Sequence, residues 1–216
     1  MDLLILDLDG VIVDSEPLSA AALMEELAAI GAHVTEEEIA RDFTGRSFVS
    51  VAAALRARIP HFPEDFEARY RARLFAAFDA HLEPTPGVVA ALDRIRAPMR
   101  IATSSTPVRA ERALRATSLW ERFGTCVDTA SEVPNGKPAP DLFLLSARRG
   151  GADPAACVVV EDSAPGLEAA AAAGILSILY LGGAHRRGRP WDGPTPSLGT
   201  MQDWAEFEAL IGRAAA

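Results

Sequence analysis

The sequence predicts an α/β protein in which a doubly wound, Rossmann-like parallel sheet is interrupted by an all-helical insertion. The opening run Leu3-Leu4-Ile5-Leu6 is apolar at every position, as expected for a strand covered on both faces. From Pro84 onward short apolar strands alternate with helical segments, which is typical of parallel β–α units. Between Val13 and Pro84 no strand pattern occurs. We therefore predict an α/β core domain and a helical cap domain, formed respectively by residues 1–14 with 83–216 and by residues 15–82.

Four helices are predicted within the insertion. The first begins after Ser15, which can cap it, and Pro17 suits its first turn. The run Thr35-Glu36-Glu37-Glu38 forms a capping box that starts a short second helix. The segment Phe43-Thr44-Gly45-Arg46-Ser47 interrupts helicity before the third. The first, third and fourth helices are expected over residues 18–30, 49–59 and 64–82.

The remainder of the chain alternates between the two kinds of element. Strands are predicted over residues 99–103, 125–127, 158–160 and 175–181. Helices are predicted over residues 88–95, 107–116, 140–149, 164–173 and 203–211. The segment 182–199 is rich in Gly, Pro and Arg and is expected to be an exposed loop. Its arginines are expected to be solvated, namely Arg186, Arg187 and Arg189.

Composition narrows the classes of partner. The chain has 216 residues, of which 49% are hydrophobic and 24% charged, as in an ordinary globular protein. Its formal net charge of −9 disfavours nucleic acid and anionic membranes, but not a small anionic substrate bound beside a metal. No apolar run approaches the roughly 20 residues of a membrane helix. Cys126 and Cys157 are expected to be buried thiols of a cytoplasmic protein, which we expect to be a monomer.

Two carboxylates follow the first strand, and they suggest a metal site. Asp7 and Asp9 would point to the same side of an extended chain, and Gly10 allows the backbone to turn after them. Two like charges at this distance repel each other unless a cation lies between them, and Mg²⁺ prefers such oxygen ligands. An Asp-rich turn before a helix is the alternative. An EF-hand loop does not fit, because its glycine stands at the sixth position rather than the fourth.

Three further segments carry polar groups where a strand ends or a helix begins. Thr103-Ser104 and Glu161-Asp162 follow predicted strands, and Lys137 precedes a predicted helix. Each alone is consistent with a helix cap, but carboxyl ends of parallel strands meet at one edge of the sheet, where ligands bind. Lys137 is also the single lysine among 21 basic residues, which suggests a site that requires a compact ammonium. The four histidines are scattered and are assigned no chemistry, namely His33, His61, His81 and His185.

These motifs, taken together, resemble the haloacid dehalogenase superfamily of phosphohydrolases. The similarity is closest to its helical-cap (C1) branch, which includes β-phosphoglucomutase and several sugar-phosphate phosphatases. The phrase Asp14-Ser15-Glu16-Pro17 supports this branch. The motifs of the superfamily correspond here to Asp7-Leu8-Asp9-Gly10-Val11, Thr103-Ser104, Lys137-Pro138 and Glu161-Asp162-Ser163-Ala164-Pro165-Gly166.

The resemblance implies a role for each motif residue. Asp7 would be the nucleophile that forms an aspartyl-phosphate, and Asp9 would be the general acid and base. Lys137 would neutralise nucleophile and phosphate together. Phosphoryl oxygens would be bound by Thr103 and the Ser104 N–H, and further substrate contacts would come from Arg46, Ser15 and Glu16. The Mg²⁺ ligands would be the carboxylates of Asp7 and Asp162 and the backbone carbonyl of Asp9, with Glu161 acting directly or through water.

The resemblance also narrows the reaction. An acid two residues after the nucleophile, Asp9, favours phosphoryl transfer over attack on carbon. The insertion contains no lysine, which argues against the phosphonate-cleaving relatives. Ser19 stands where the mutases carry a histidine, which favours hydrolysis. We therefore expect Mg²⁺-dependent hydrolysis of a small phosphorylated metabolite such as a sugar phosphate. A phosphosugar mutase and a non-catalytic binding protein remain the alternatives.

Overall fold

The computed structural model describes residues 1–43 and 48–214 and confirms the predicted α/β class. Its sheet has six parallel strands in the order β3-β2-β1-β4-β5-β6. β1 lies in the interior of the sheet between β2 and β4, so its carboxyl end is surrounded by those of its neighbours. The strands are β1 Leu3–Leu6, β2 Met99–Thr103, β3 Val127–Thr129, β4 Cys157–Glu161, β5 Leu176–Tyr180 and β6 Gly199–Met201.

Helices cover both faces of this sheet. The helices outside the insertion are α5 Val88–Arg94, α6 Pro107–Ala116, α7 Trp120–Phe123, α8 Asp141–Gly150, α9 Ala164–Ala172 and α10 Phe207–Ala214. Side chains of a strand alternate between faces, and β1 shows the alternation directly. Leu3 and Ile5 lie in a buried cluster with side chains of α8 and α9, whereas Leu4 and Leu6 lie in a second cluster with side chains of α5 and α6.

The insertion between β1 and β2 is helical in the described residues. Its helices are α1 Glu16–Ala29, α2 Glu36–Asp42, α3 Phe48–Arg58 and α4 Phe66–His81. The capping box of α2 is present, with the Thr35 side chain accepting from the Glu38 N–H at 3.2 Å. α1 and α4 are joined by a buried carboxylate, because Glu26 pairs with Arg69 at 3.2 Å and with Arg73 at 2.8 Å.

The two segments that connect the sheet to the helical insertion lie side by side. The Asp14 N–H donates to the Glu83 carbonyl at 3.0 Å, and Val13 forms an antiparallel bridge with Pro84. The predicted division into domains at 14/15 and 82/83 falls at this crossing, and it stays a prediction. No helix in residues 1–43 or 48–214 is long and apolar enough to cross a membrane.

Several local predictions were wrong. β3 begins at Val127 rather than residue 125, so Cys126 precedes the strand and is half-buried. The edge strand β6 was not predicted, because its three residues contain no run of apolar side chains. It lies where we expected the end of the exposed loop and the link to the last helix. Ser15 precedes α1 but makes no capping hydrogen bond. Its hydroxyl donates to Asp9 instead, at 2.5 Å.

A buried charge network anchors β3, which explains why the apolar pattern of that strand is weak. Asp128 is fully buried and accepts from Arg100 Nε and Nη2, both at 2.8 Å. Ser146 and Arg149 of α8 donate to the same carboxylate at 2.7 and 2.6 Å. Burial by itself raises the pKa of Asp128, but these four donors outweigh it and the pKa is lowered. The carboxylate therefore stays charged and ties α8 to the sheet.

We expect Asp128→Ala to destabilise the protein by about 3–5 kcal/mol, because it leaves the Arg100 guanidinium buried without its partner. The measurement is the free energy of unfolding from urea titrations followed by circular dichroism. Asp79→Ala is the control, since the Asp79–Arg112 pair is roughly half exposed and should cost about 1 kcal/mol or less. Equal losses for the two variants would contradict the expectation.

Candidate active site

The candidate site lies at the carboxyl ends of β1, β2 and β4, where a cavity opens toward α1, α3 and α4. The structure brings the predicted motif residues together, because all of them line this cavity. Those residues are Asp7, Asp9, Thr103, Ser104, Lys137, Glu161 and Asp162. Of the predicted cap contacts, Glu16 also lines the cavity. Arg46 lies outside the described residues.

The loop after β1 comes close to the Asp162 side chain. Gly10 has φ +79°, and a Cβ there would stand 2.0 Å from Asp162 Oδ2. Both the backbone conformation and the lack of space therefore require glycine. The close approach brings the loop that carries Asp7 and Asp9 against the end of β4.

Lys137 is the central cation of the site. Its ammonium donates to Asp7 Oδ1 at 2.6 Å, to Glu161 Oε1 at 2.5 Å and to the Ala102 carbonyl at 2.9 Å. Its side chain is only 4% exposed, and it lies 4.9 Å from the centre of the Phe143 ring. Burial alone lowers the pKa of Lys137, but Asp7 and Glu161 raise it above its ordinary value. Three acceptors converge on one nitrogen, which an ammonium can satisfy and a planar guanidinium cannot.

Glu161 is saturated by hydrogen bonds within the protein. Oε1 accepts from Lys137, while Oε2 accepts from the backbone N–H groups of Asp162 at 2.9 Å and Ser163 at 3.0 Å. The Ser163 hydroxyl also donates to Oε2 at 2.9 Å. Gly166 permits this arrangement, because a Cβ there would stand 1.9 Å from the Glu161 carboxylate. Glu161 thus shapes the turn into α9 and holds Lys137.

The charges of the site fit a divalent cation. Carboxylate oxygens of Asp7, Glu161 and Asp162 lie within 4.8 Å of one another, and all three residues are buried. Burial raises the pKa of Asp7 well above its ordinary value, Lys137 opposes this, and the carboxylates of Glu161 and Asp162 add to it. Three carboxylates against the Lys137 ammonium and the His185 imidazole, which lies 2.9 Å from Asp162, still leave excess negative charge. Hard oxygen ligands of this kind suit Mg²⁺.

The Asp9 carboxylate is not a member of the Asp7–Glu161–Asp162 cluster, and it accepts hydrogen bonds from three side chains. Its Oδ1 accepts from Ser15 Oγ at 2.5 Å and from Arg109 Nη2 at 2.8 Å, and its Oδ2 accepts from Ser105 Oγ at 2.6 Å. Burial by itself raises the pKa of Asp9, but the charge of Arg109 and the three hydrogen bonds bring it below the ordinary value. Arg109 also donates to Ser19 Oγ of α1 at 3.0 Å.

Sequence reasoning missed Arg109 and Ser105. Arg109 lies in the first turn of α6, 5.4 Å from the ring of Phe78 in α4. A cation at the amino end of a helix is opposed by the helix dipole. An arginine at this unfavourable position indicates that a carboxylate compensates its charge. Nothing in the sequence, however, indicates that this carboxylate is Asp9. Ser105 directly follows the predicted Thr103-Ser104 pair.

The expectation that Arg186 is solvated was wrong, and His185, which was assigned no chemistry, lies in the site. His185 Nε2 stands 2.9 Å from Asp162 Oδ2, with 9% of the side chain exposed. Burial lowers the pKa of His185, but Asp162 outweighs it and the pKa is raised. Arg186 donates to the Asp162 carbonyl. The neighbouring arginines and the other histidines are exposed, namely Arg187, Arg189, His33, His61 and His81.

Glu16 has a strongly shifted pKa. Burial raises it from 4.5 to about 7, the nearby Asp9 carboxylate adds to the shift, and Arg109 opposes it. The folded protein therefore binds this proton more tightly than the unfolded chain does. The ionisation of Glu16 should therefore lower the free energy of unfolding as the pH rises from about 4.5 to about 7.

We expect Glu16→Gln to reduce the loss of stability between about pH 5 and about pH 8, because the neutral amide has no proton to lose. At about 1.4 kcal/mol per pKa unit, the shift from 4.5 to about 7 sets an upper bound of about 3.5 kcal/mol on the effect. Urea unfolding of both proteins at several pH values in EDTA measures it. The exposed Glu64→Gln is the control. Parallel pH profiles for wild type and Glu16→Gln would refute the assignment.

Comparisons with known proteins identify the family of this chain. The family model for haloacid dehalogenase-like hydrolases matches residues 1–174. The chain is 33% identical over 179 residues to a phosphorylated carbohydrates phosphatase of Thermotoga maritima, covering 81% of this chain and 82% of the relative. It is 35% identical over 176 residues to the fructose-1-phosphate phosphatase YqaB of Escherichia coli (strain K12), covering 80% and 92%.

A solved structure has the same fold. It is a HAD family hydrolase from Deinococcus radiodurans R1 with bound phosphate and sodium. Its TM-score to this chain is 0.78 at 32% sequence identity, covering 100% of this chain and 96% of that one. The predicted resemblance is confirmed, and the chain belongs to the haloacid dehalogenase-like hydrolases.

Proposed function

We propose that this protein is a Mg²⁺-dependent phosphatase of small phosphorylated carbohydrates, with Asp7 as its nucleophile. The observation that carries the proposal is the position of Asp7. It directly follows the interior strand β1 and accepts a hydrogen bond from the Lys137 ammonium at 2.6 Å. Its carboxylate also lies within 4.8 Å of those of Glu161 and Asp162. The carbohydrate class is supported by the two relatives, which are named as phosphatases of phosphorylated carbohydrates and of fructose 1-phosphate.

Asp7 would attack the phosphorus atom of the bound ester. The new bond joins an Asp7 carboxylate oxygen to phosphorus, the ester P–O bond breaks, and the leaving oxygen takes a proton from Asp9. Water then attacks the aspartyl-phosphate, and Asp9 accepts a proton from that water. The P–O bond to Asp7 breaks, which regenerates the carboxylate and releases inorganic phosphate.

The residues of the cluster would hold Mg²⁺. The carboxylates of Asp7 and Asp162, with the backbone carbonyl of Asp9, are the proposed ligands. When bound, the ion supplies charge neutralisation between the attacking carboxylate and the phosphate. Both oxygens of Glu161 already accept hydrogen bonds from the protein, so its role is to fix Lys137 and the turn after β4.

The phosphoryl oxygens would be bound at the end of β2. Thr103 is buried there, and its Oγ1 accepts from the Ser105 N–H at 3.0 Å. Its hydroxyl proton and the Ser104 N–H are therefore the donors proposed for phosphate, and the Lys137 ammonium, which donates to the neighbouring Ala102 carbonyl, adds positive charge. Preorganised donors of this kind stabilise charge that develops in the transition state.

The surroundings of Asp9 bear on its role as acid and base. The Asp9 carboxylate accepts from Ser15, Ser105 and Arg109, and these contacts favour its ionised form. Before it can protonate a leaving oxygen, it must therefore exchange these partners for substrate and take up a proton. Ser19 lies in the same network. A serine hydroxyl titrates far above neutral pH and cannot relay protons as an imidazole does, which supports hydrolysis over the mutase reaction.

We expect Asp7→Asn to lower hydrolysis of p-nitrophenyl phosphate in Mg²⁺ by roughly a thousandfold or more, because the amide is not a nucleophile. Initial rates of p-nitrophenolate release measure this. Asp79→Asn, at an exposed position, is the control and should keep wild-type activity. Retained turnover in Asp7→Asn would show that the nucleophile is wrongly assigned. Full activity of the wild type after EDTA treatment would refute the metal requirement.

Sugar phosphates should be turned over with higher kcat/KM than non-carbohydrate esters such as phosphoserine, with free phosphate as the product. A panel that includes fructose 1-phosphate, glucose 6-phosphate and β-glucose 1-phosphate measures this by phosphate release. Conversion of β-glucose 1-phosphate to glucose 6-phosphate without phosphate release would establish the mutase instead. Absence of turnover across the whole panel would favour a binding protein.

A further inference from the structure

We infer that His185 and Arg186 are positioning residues that hold Asp162 in the orientation needed for metal binding. Both belong to a short 3-10 turn, Ala184–Arg186, in the chain after β5. Neither residue belongs to the motifs from which the site was predicted. The inference rests on the proposed function only in assuming that Asp162 is a metal ligand.

The turn engages Asp162 at two different groups. His185 Nε2 lies 2.9 Å from the side-chain oxygen Oδ2, and Arg186 Nη2 donates to the backbone carbonyl. The Asp162 N–H donates to Glu161 Oε2 at 2.9 Å. The carboxylate, the carbonyl and the amide of this one residue are therefore all engaged by the protein.

The 184–186 turn packs against the loop that follows β1. The Ala184 N–H donates to Asp14 Oδ1 at 3.0 Å. A Cβ added to Gly10 would stand 2.8 Å from His185 Cε1, and one added to Gly183 would stand 2.9 Å from the Gly10 carbonyl oxygen. The imidazole therefore lies close against the backbone of both glycines, since a Cβ on Gly183 would also stand 3.0 Å from His185 Cε1.

Arg186 is held from its outer side by an aromatic ring. Its guanidinium carbon lies 4.9 Å from the centre of the Trp191 ring. Stacking of this kind orients the planar guanidinium and compensates part of its lost hydration. Trp191 is in turn tied to its own loop, because its indole N–H donates to the Pro194 carbonyl at 2.9 Å.

These contacts have the form of an outer coordination shell. A carboxylate ligand whose second oxygen is paired with a neighbouring side chain, as Asp162 Oδ2 is with His185 at 2.9 Å, has fewer orientations open to it, so less freedom is lost when the metal binds. With Oδ2 engaged by His185, the other carboxylate oxygen is left for the ion. Removal of such outer partners typically weakens metal binding by about 10- to 100-fold.

The test compares His185→Met with His185→Gln, two unbranched side chains of similar size of which only glutamine carries an N–H donor. Mg²⁺ binding is measured by isothermal titration calorimetry without substrate, so that the readout is independent of turnover. We expect the Kd for Mg²⁺ to rise about 10- to 100-fold in the methionine variant and to recover in the glutamine variant. Circular dichroism melts confirm that each variant is folded.

The neighbouring arginines provide a second, matched pair that decides the question if His185→Met fails to fold. Arg186→Met should weaken Mg²⁺ binding, whereas Arg187→Met, at an exposed position, should leave it at the wild-type value. Equal Kd values within both pairs, or tighter binding in His185→Met, would overturn the inference. If the wild type itself does not bind Mg²⁺, the proposed metal dependence fails and the inference fails with it.

Discussion

The buried ammonium of Lys137 is the interaction on which the rest of the site depends. It contacts side chains that follow β1 and end β4 and a carbonyl of β2, and so it joins three neighbouring strands at their carboxyl ends. Without it, the buried carboxylates of Asp7 and Glu161 would have no ion-pair partner in the described part of the chain, and burial of unpaired charge is strongly unfavourable. The remaining negative charge is what makes the cluster suited to a divalent cation.

A second network connects the site to the helical insertion through Asp9. Ser15 lies at the start of α1 and Ser19 within it, whereas Arg109 comes from α6 and packs on Phe78 of α4. The proposed acid and base is therefore bonded to groups on both sides of the cavity. Any change in the position of α1 relative to α6 would alter the partners of Asp9. This gives the insertion a direct physical connection to the reacting groups.

Most of the site was accessible from the sequence because its residues stand at fixed offsets from strand ends. Asp7, Thr103, Glu161 and Asp162 each end or follow an apolar run, and Lys137 is marked by being the single lysine. Arg109 and His185 carry no such mark. Asp9 lies 100 residues before Arg109 in the sequence, and α9 and β5 separate Asp162 from His185. Only the packing of α6 and of the 184–186 turn therefore brings these partners into contact.

The amino-acid sequence by itself determined the class of fold, the order of the first five strands and the motif residues, because hydrophobic periodicity and turn chemistry are local properties. Only the tertiary structure decided that Ser15 bonds Asp9 rather than capping α1, that Asp128 anchors β3, and that His185 and Arg186 face Asp162. The reason is that a polar side chain near a helix end or in a loop has several partners of similar energy. Which one it takes depends on the groups that packing brings within hydrogen-bonding distance.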